Sequence, residues 1–340
     1  MARETDRPRA ATIHDVAAAA GVSRGTVSRV VNGERYVSDE ARSAVESAIH
    51  RVGYVPNTAA RNLKTRRSHA VGLIVHEPHS LFLEDPNIGA ILLGTNTVLS
   101  EANYQLVCLI IDSQRDIDRV AEYLGGGFVD GVIIVSARAG DPIGRVVSEM
   151  GIPAAFVGHP PDLDGIAFVG IDNTHAAETI TTRLLQTGRQ RIGMIAAALD
   201  RDSGRDRLNG FRAALGDRFD TDLVVDLPLY SYGTGVEGMR RLLERAPDID
   251  GVFAASDAIG AGALDVLRDA GRSVPGDVGV VGFDDSAWAV RCQPPLSTVH
   301  QPADLLGSMA AQLVLDQLDG KRASTDGTLL DTYITWRGSA

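Results

Sequence analysis

The chain has 340 residues, 44% of them hydrophobic, with 33 basic and 44 acidic side chains and a net charge of −11. This composition predicts a folded protein of about two domains and excludes a disordered chain. Two cysteines are too few for a disulfide scaffold, and the sequence has neither an apolar run that could cross a bilayer nor a secretory segment, so we expect a cytoplasmic protein without a membrane partner.

The charge is distributed unevenly along the chain. Residues 1–68 carry 12 basic and 7 acidic side chains, whereas the remainder carries 21 basic and 37 acidic ones. A small basic segment ahead of a large acidic body is typical of a DNA-binding module attached to a sensor or an enzyme. A solvated basic tail has the same composition, so the segment needs a structural motif to support DNA binding.

The basic segment predicts three helices. Residues 12–20 place apolar side chains at helical spacing, and Gly21 can take the left-handed conformation that ends a helix. A second helix is predicted to start at Ser23, and Ser38 is a good N-cap for a third helix over about 39–52. Two helices joined by a short turn and followed by a supporting helix are typical of a helix-turn-helix domain, although a generic three-helix bundle has the same pattern.

The residues themselves separate these alternatives. The strings TIHDVAAAAGVSRGTVSRVVNG, VSDEAR and GYVPNTAARNL closely resemble the DNA-binding head of the lactose-repressor (LacI/GalR) family, and the match is dense from Thr12 to Leu63. The resemblance implies a helix-turn-helix domain over 10–56, a hinge helix and linker over 57–69, and an effector-binding and dimerisation core over 70–340.

The resemblance also assigns roles within the head, where the second helix is expected to lie in the major groove and an arginine can offer a bidentate fork to guanine. It implies that bases are read from Arg24, Gly25 and Arg29. Because Gly25 has no side chain, the base pair that other members read from this position stays unassigned. The residues that match phosphate-contacting positions are Thr12, Ser23, Thr26, Ser28, Asn32, Ser38, Tyr54 and Asn57. The residues that match the minor-groove contacts of the hinge are Ala60 and Leu63.

From Ala70 onward, apolar strands alternate with helical stretches, which predicts parallel sheets covered by helices on both faces. A second series of this kind is predicted to begin with a strand near Ala167. Two doubly wound halves resemble the family's two-lobed core, which is related in fold to periplasmic sugar-binding proteins. The predicted lobes are about 70–168 plus 301–325 and about 169–300 plus 326–340. The chain is then expected to cross between the lobes near 168–171, 297–301 and 325–328.

Polar residues follow several of the predicted strands, and the carboxyl ends of parallel strands border a ligand crevice. A carboxylate and an arginine fork suit a sugar, since each can hold neighbouring hydroxyls through two hydrogen bonds. By resemblance, the strongest effector-binding candidates are Arg207 and Asp284. The further candidates at the crevice are Ser256, Asp257, Asp172, Gln301, Ser80 and Phe82. Helix capping is an alternative role for Asp172 and Asp257, and core packing is one for Phe82.

Neither a cofactor nor a metal site is predicted. The segment from Gly233 to Gly238 fits G-x-G-x-x-G, but a dinucleotide site requires a strand that leads directly into the first glycine. Cys108 lies in the apolar run LVCLII and is expected to be a core thiol, and two histidines in HEPH do not make a zinc site without a third ligand.

The resulting hypothesis is a homodimeric transcription regulator, a repressor whose affinity for double-stranded operator DNA is controlled by a small-molecule effector, expected to be a sugar. An enzyme on a doubly wound fold is one alternative, but the sequence has no P-loop, G-x-S-x-G or metal motif. A sugar-transport receptor is the other alternative, but it would need a secretory segment and would leave the basic head unexplained.

Overall fold

The computed structural model describes residues 11–31, 36–54, 67–159, 165–321 and 327–340. The chain divides into two compact units, a head that extends to Arg67 and a core that runs from Ser68 to Ala340. Among the described residues, no helix is both long and apolar enough to cross a membrane.

Three helices form the described part of the head: α1 (Ile13–Ala20), α2 (Arg24–Val31) and α3 (Asp39–Val52). Gly21 ends α1 with a φ of 67°, and the Ser38 hydroxyl caps α3 by accepting a hydrogen bond from the backbone N–H of Ala41 at 3.3 Å. The buried residues at the centre of the helices are Val16, Ala17, Val27, Val30, Val45 and Ala48. The predicted helix-turn-helix arrangement is therefore confirmed.

Part of the predicted DNA interface lies outside the described residues. The positions concerned are Asn32, Asn57, Ala60 and Leu63. The hinge helix predicted over 57–69 is described only from Arg67 onward.

The core alternates strands and helices along the chain. Its first half contains β1 (Ala70–His76), α4 (His79–Glu84), α5 (Pro86–Glu101), β2 (Gln105–Ile111), α6 (Gln114–Gly125), β3 (Gly131–Val135), α7 (Pro142–Met150), β4 (Ala154–Val157) and β5 (Ala167–Ile171). Its second half begins with α8 (Asn173–Gln186), β6 (Ile192–Ala197), α9 (Asp202–Leu215), 3₁₀ turns at Gly216–Arg218 and Thr221–Leu223, β7 (Val224–Leu227) and α10 (Tyr232–Arg245). It continues with β8 (Gly251–Ala254), α11 (Asp257–Asp269), β9 (Gly279–Asp284), α12 (Ala287–Arg291), β10 (Ser297–His300), α13 (Ala303–Leu318), β11 (Thr328–Leu330) and β12 (Tyr333–Thr335).

Among the described residues, each lobe is built on a six-stranded sheet. The order is β2-β1-β3-β4-β5-β11 in lobe one and β7-β6-β8-β9-β10-β12 in lobe two. Neighbouring strands run parallel throughout, except that β12 pairs antiparallel with β10. Helices cover both faces of such a sheet, so its central strands are apolar along their whole length. The two doubly wound parallel sheets predicted from the sequence are confirmed.

The predicted boundary between the lobes is wrong at two places. Strand β5 pairs with β4, and β11 pairs with β5, so both belong to the first sheet. Residues 169–171 and 327–330 therefore lie in lobe one and not in lobe two. The chain crosses between the lobes after Ile171, at Gln301–Pro302 and between Leu330 and Tyr333. A strand buried on both faces has the same apolar pattern in either sheet, so the pattern cannot say which sheet it joins.

One further sequence interpretation changes with the structure, and another agrees with it. Cys108 is exposed and does not lie in the core; it belongs to β2, which is the edge strand of its sheet. The G-x-G-x-x-G glycines belong to helix α10, which starts at Tyr232, well after β7 ends at Leu227. A Cβ on Gly235 would lie 2.0 Å from the carbonyl oxygen of Ile259, so this glycine permits close packing of α10 on α11.

Candidate effector cavity and nucleic-acid interface

A cavity of about 120 Å³ lies between the lobes, at the carboxyl ends of the strands. It brings together three of the predicted effector residues, which are Arg207, Asp284 and Gln301. The other polar side chains that line it include Glu77, Asp85, Asn87, Asn173, Arg201, Asp202 and Tyr230. Apolar walls are supplied by Ile88, Ile91, Val135, Val157, Ile171 and Leu306. A mixed apolar and polar lining with converging polar groups is typical of a small-molecule site.

Arg207 lies in α9 and is held on several sides by the protein itself. Its Nε donates a hydrogen bond to Oδ1 of Asn173 at 3.0 Å, and its Nη1 donates one to the carbonyl oxygen of Ala255 at 2.6 Å. The guanidinium carbon stands 3.7 Å from the ring centroid of Phe283, and Nη1 lies 3.4 Å from Oδ1 of Asp284. Because each contact restricts the fork, the guanidinium is oriented before any ligand arrives.

Asp284 ends strand β9 in a backbone conformation that side-chain-bearing residues seldom adopt. Its φ is 112°, and that of the next residue, Asp285, is 55°. Such strained positions persist where the surroundings hold them in place. Here the Asp285 carboxylate accepts hydrogen bonds from Nη2 of Arg337 at 2.5 Å and from the Thr335 hydroxyl at 3.1 Å. The end of the second sheet therefore fixes the direction in which the Asp284 side chain leaves the backbone.

The Asp284 carboxylate is buried beside both a cation and another acid. Oδ1 accepts a hydrogen bond from Nε2 of Gln301 at 2.7 Å. Burial raises the pKa of Asp284 to about 7, the nearby Asp257 carboxylate also raises it, and Arg207 opposes the shift. Burial and the neighbouring acid therefore oppose the charge of this carboxylate, whereas Arg207 stabilises it.

The remaining effector candidates do not line the cavity. Asp172 and Ser256 are helix caps, which accept hydrogen bonds from the backbone N–H of His175 at 2.8 Å and of Ile259 at 3.3 Å respectively. Asp257 is fully buried and accepts hydrogen bonds from the Thr298 hydroxyl at 2.6 Å and the Ser286 N–H at 2.7 Å. Ser80 is exposed, and Phe82 packs against the core of lobe one. The alternative roles considered for Asp172 and Phe82 therefore match their surroundings, whereas the cap of α11 is Ser256 and not Asp257.

Sequence reasoning missed a buried ion pair that joins the lobes beside the cavity. Both guanidinium Nη atoms of Arg201 in lobe two contact the carboxylate of Glu77 in lobe one, and the Nη2–Oε2 distance is 2.7 Å. The two residues are only 3% and 1% exposed. Glu77 directly follows β1, so the strand-end rule that selected Asp284 could also have selected Glu77.

Further contacts join the lobes around this pair. Nη1 of Arg138 lies 2.5 Å from Oδ2 of Asp200, and the N–H of Ala139 donates a hydrogen bond to the Asp200 carbonyl oxygen at 2.7 Å. On another side, the N–H of Tyr232 donates a hydrogen bond to Oε1 of Glu84 at 2.9 Å. The lobes therefore touch around the cavity, which is the arrangement expected of a closed cleft.

In the head, α2 presents the predicted base-reading residues on its exposed face. Arg24, Gly25 and Arg29 are exposed, whereas Val27 and Val30 on the opposite face are buried. A Cβ on Gly25 would have no neighbour closer than 3.6 Å. Packing within the head therefore does not require glycine at this position, and a larger side chain fits there.

The predicted phosphate-contacting residues lie mostly at helix starts. Ser23 caps α2, accepting a hydrogen bond from the Thr26 N–H at 3.1 Å, and its hydroxyl lies 3.0 Å from that of Thr26. The Thr12 hydroxyl donates a hydrogen bond to Oδ2 of Asp15 at 2.7 Å. The half-buried Tyr54 packs at the edge of the head's core. Of the other candidates, Ser38 caps α3 and Ser28 is half-buried on the flank of α2.

Comparison with known proteins decides the family. Residues 12–57 match the model described as bacterial regulatory proteins, lacI family, and residues 181–340 match a periplasmic binding protein-like domain. The HTH-type transcriptional regulator CelR of Thermobifida fusca is 42% identical over 339 residues, which cover 98% of this chain and 99% of that protein. This chain belongs to the lacI family of bacterial regulatory proteins. The lacI-family assignment predicted from the sequence is thereby confirmed, together with DNA-binding regulation in place of catalysis.

Other relatives of this lacI-family protein agree with that assignment. The ribose operon repressor of Escherichia coli K12 is 30% identical over 336 residues, covering 97% of this chain and 100% of that one. A solved CelR–cellobiose complex superposes with a TM-score of 0.78 at 40% identity, covering 97% of this chain and 100% of that chain. A lac repressor dimer bound to operator and the anti-inducer ONPF superposes with a TM-score of 0.87 at 24% identity, covering 97% and 99%. This last likeness shows the shared fold alone.

Proposed function

We propose that this lacI-family regulator is a homodimeric repressor whose affinity for operator DNA is controlled by a sugar bound between the lobes of its core. The observation that carries the proposal is the group formed by Arg207, Asp284 and Gln301 inside the interlobe cavity. An oriented guanidinium and a carboxylate can each hold neighbouring sugar hydroxyls by paired hydrogen bonds. The relative whose solved complex contains cellobiose makes that disaccharide the first sugar to test.

The position of the cavity connects sugar binding with a conformational change. Its lining comes from both lobes, so a sugar held there contacts Asp85 and Val135 of lobe one as well as Arg207 of lobe two. Such a ligand binds the closed form more tightly than the open form, and this difference shifts the population. Because a cavity of about 120 Å³ is smaller than the roughly 300–1,000 Å³ of usual ligand pockets, a disaccharide must hold the lobes further apart than a monosaccharide does.

On the DNA side, we propose that α2 enters the major groove and reads bases through Arg24 and Arg29. Both guanidinium groups are exposed, and each can offer a bidentate fork to guanine. The hydroxyl and amide residues already named for phosphate contact would set the register. The proposed hinge over 57–69 would place Ala60 and Leu63 in the minor groove, with Leu63 as a wedge between base pairs.

The test is fluorescence anisotropy of labelled DNA from upstream of the gene, measured at one fixed salt concentration with and without cellobiose, glucose and ribose. Salt must be fixed because phosphate contacts make the affinity steeply salt-dependent. We expect tight binding that one of the sugars weakens. Specific DNA binding that no sugar changes would contradict control by a sugar. The absence of specific binding to any fragment in a genome-wide selection would contradict the whole proposal.

A substitution in α2 tests the base-reading role. Arg29→Ala is expected to weaken operator binding by about 1–3 kcal/mol and to relax the preference at one base pair, because a bidentate base contact is lost. Arg115→Ala removes the same charge from the surface of lobe one, in helix α6, and is the matched control. If the base preference of the Arg29 variant were unchanged in a selection from random operators, Arg29 would contact phosphate only.

A further inference from the structure

Lobe one contributes a carboxylate to the cavity that faces the effector residues of lobe two. Asp85 precedes helix α5 as its N-cap, where Oδ1 accepts a hydrogen bond from the N–H of Asn87 at 2.9 Å. The same side chain lines the cavity together with Asp284 and Arg207. The two aspartates therefore come from opposite lobes and line the same cavity.

Two of the other acids of the cavity are paired with arginines. Glu77 is paired with Arg201, and Asp284 with Arg207. Asp202 accepts a hydrogen bond from the backbone N–H of His159. Among the described residues, no cationic side chain forms an ion pair within 4.0 Å with Asp202 or with Asp85. Asp85 thus has one backbone hydrogen bond and no direct counter-ion.

This isolation has an electrostatic consequence. Burial raises the pKa of Asp85 to about 7, and the Asp284 and Glu77 carboxylates raise it further, whereas the Asn87 N–H and Arg207 lower it. When both acids are ionised they repel each other within the cavity, and a ligand hydroxyl that donates a hydrogen bond to Asp85 relieves part of that repulsion.

We propose that Asp85 is a specificity-determining residue, which accepts a hydrogen bond from a hydroxyl of an uncharged sugar and rejects effectors that carry a carboxylate or a phosphate. An anionic group at this position would add a third negative charge beside Asp85 and Asp284, with Arg207 already engaged. A sugar hydroxyl supplies a donor without adding charge. This inference rests on the proposed function, since it names the class of effector for the same cavity.

The substitution Asp85→Asn isolates the charge of this residue. Asparagine is as good an N-cap as aspartate, so α5 keeps its start while the negative charge is removed. Asp118→Asn is the matched control, because Asp118 is an exposed acid on α6 of lobe one and does not line the cavity. Thermal unfolding and operator affinity of both variants show whether each protein is folded.

The experiment compares neutral sugars with their acids by isothermal titration calorimetry, using cellobiose and cellobionate, glucose and gluconate, and ribose and ribonate. The wild-type protein is expected to bind one neutral sugar at least tenfold more tightly than its acid, and Asp85→Asn to reduce that preference at least tenfold. Asp118→Asn should leave the preference unchanged. Tighter binding of an acid than of its neutral sugar by the wild-type protein would overturn the proposal, as would an unchanged preference in the Asp85 variant.

A pH series gives a second readout that a merely structural role would not move. A hydroxyl that donates to Asp85 favours the ionised carboxylate, so sugar binding lowers the pKa of Asp85 and releases a proton. The affinity of the wild-type protein for the neutral sugar should therefore rise between pH 5.5 and 8, and this rise should be smaller in Asp85→Asn. If the protein binds operator DNA but none of the six compounds, the proposed control by a sugar is contradicted. If a neutral sugar binds and the variant keeps the wild-type preference and pH profile, only the role of Asp85 fails.

Discussion

The two lobes of the core share a sheet topology but differ in how they present polar groups to the cavity. In lobe two, Arg207 is held by Asn173, Ala255 and Phe283, so its orientation depends on the protein alone. In lobe one, Glu77 contacts Arg201 of the other lobe most closely, and Arg138 of its own lobe lies at 4.0 Å. The difference teaches that Arg207 is oriented within lobe two alone, whereas Glu77 depends on a partner across the cavity.

The buried Glu77–Arg201 pair also has an energetic cost. A buried ion pair is costly to form because both charges lose water, and breaking it by opening leaves each charge to be hydrated again. A ligand that enters the cavity and changes the hydration of the Glu77–Arg201 pair therefore changes the free energy of the closed form. We therefore expect substitutions at Glu77 in lobe one to change the free energy of unfolding, and substitutions at Arg207 in lobe two to change sugar affinity.

The largest effect is expected from Glu77→Ala, which removes one partner of the buried interlobe pair. Arg201, which is only 3% exposed in the intact protein, would lose its closest counter-ion, and such a loss usually costs about 3–5 kcal/mol. Chemical denaturation should show this decrease in the free energy of unfolding. Asp200→Ala breaks the more exposed pair with Arg138 and should cost about 1 kcal/mol or less. Equal losses in both variants would contradict the dependence of lobe one on this pair.

A somewhat smaller effect is expected from Arg207→Lys, which tests the preorganised surface of lobe two. Lysine keeps the charge beside Asp284 but cannot reproduce a fork that bonds Asn173 and Ala255 together. The loss of a hydrogen bond to a charged group costs about 1.5–3 kcal/mol, so sugar binding should weaken roughly ten- to a hundredfold. Calorimetry with the responsive sugar measures the change, and operator affinity without sugar should equal that of the wild-type protein. Undiminished sugar binding would place the recognition surface elsewhere.

The smallest effect is expected from Asp172→Ala, which distinguishes a cap from a ligand at the crossing between the lobes. Because Asp172 accepts a hydrogen bond from the His175 N–H at 2.8 Å, the variant should lose about 1 kcal/mol of unfolding free energy. Sugar affinity should not change, and Asp172→Asn should restore stability. A loss of sugar affinity without a loss of stability would show that Asp172 binds the effector.

Sequence reasoning succeeded where a local pattern and a family motif coincided. The head was predicted from helix starts and turns that involve neighbouring residues, such as Gly21 and Ser38. Asp284 was selected because it lies at a strand end and matches the family's pattern, and Arg207 because it matches that pattern. Glu77 also follows a strand but was not selected, and the placement of Glu77 beside Arg201 and of Asp85 near Asp284 depends on residues that lie far away along the chain.

The amino-acid sequence by itself determined the helix-turn-helix head, the two doubly wound sheets and the family. Helical and strand periodicities, caps and glycine turns act over a few residues, so they can be recognised without the fold. The tertiary structure decided which sheet β5 and β11 join, that Cys108 is exposed and that Asp257 is structural. It also decided which acids share the cavity. Each of these outcomes depends on packing between segments distant in the chain, because burial and charge pairing arise only when those segments meet.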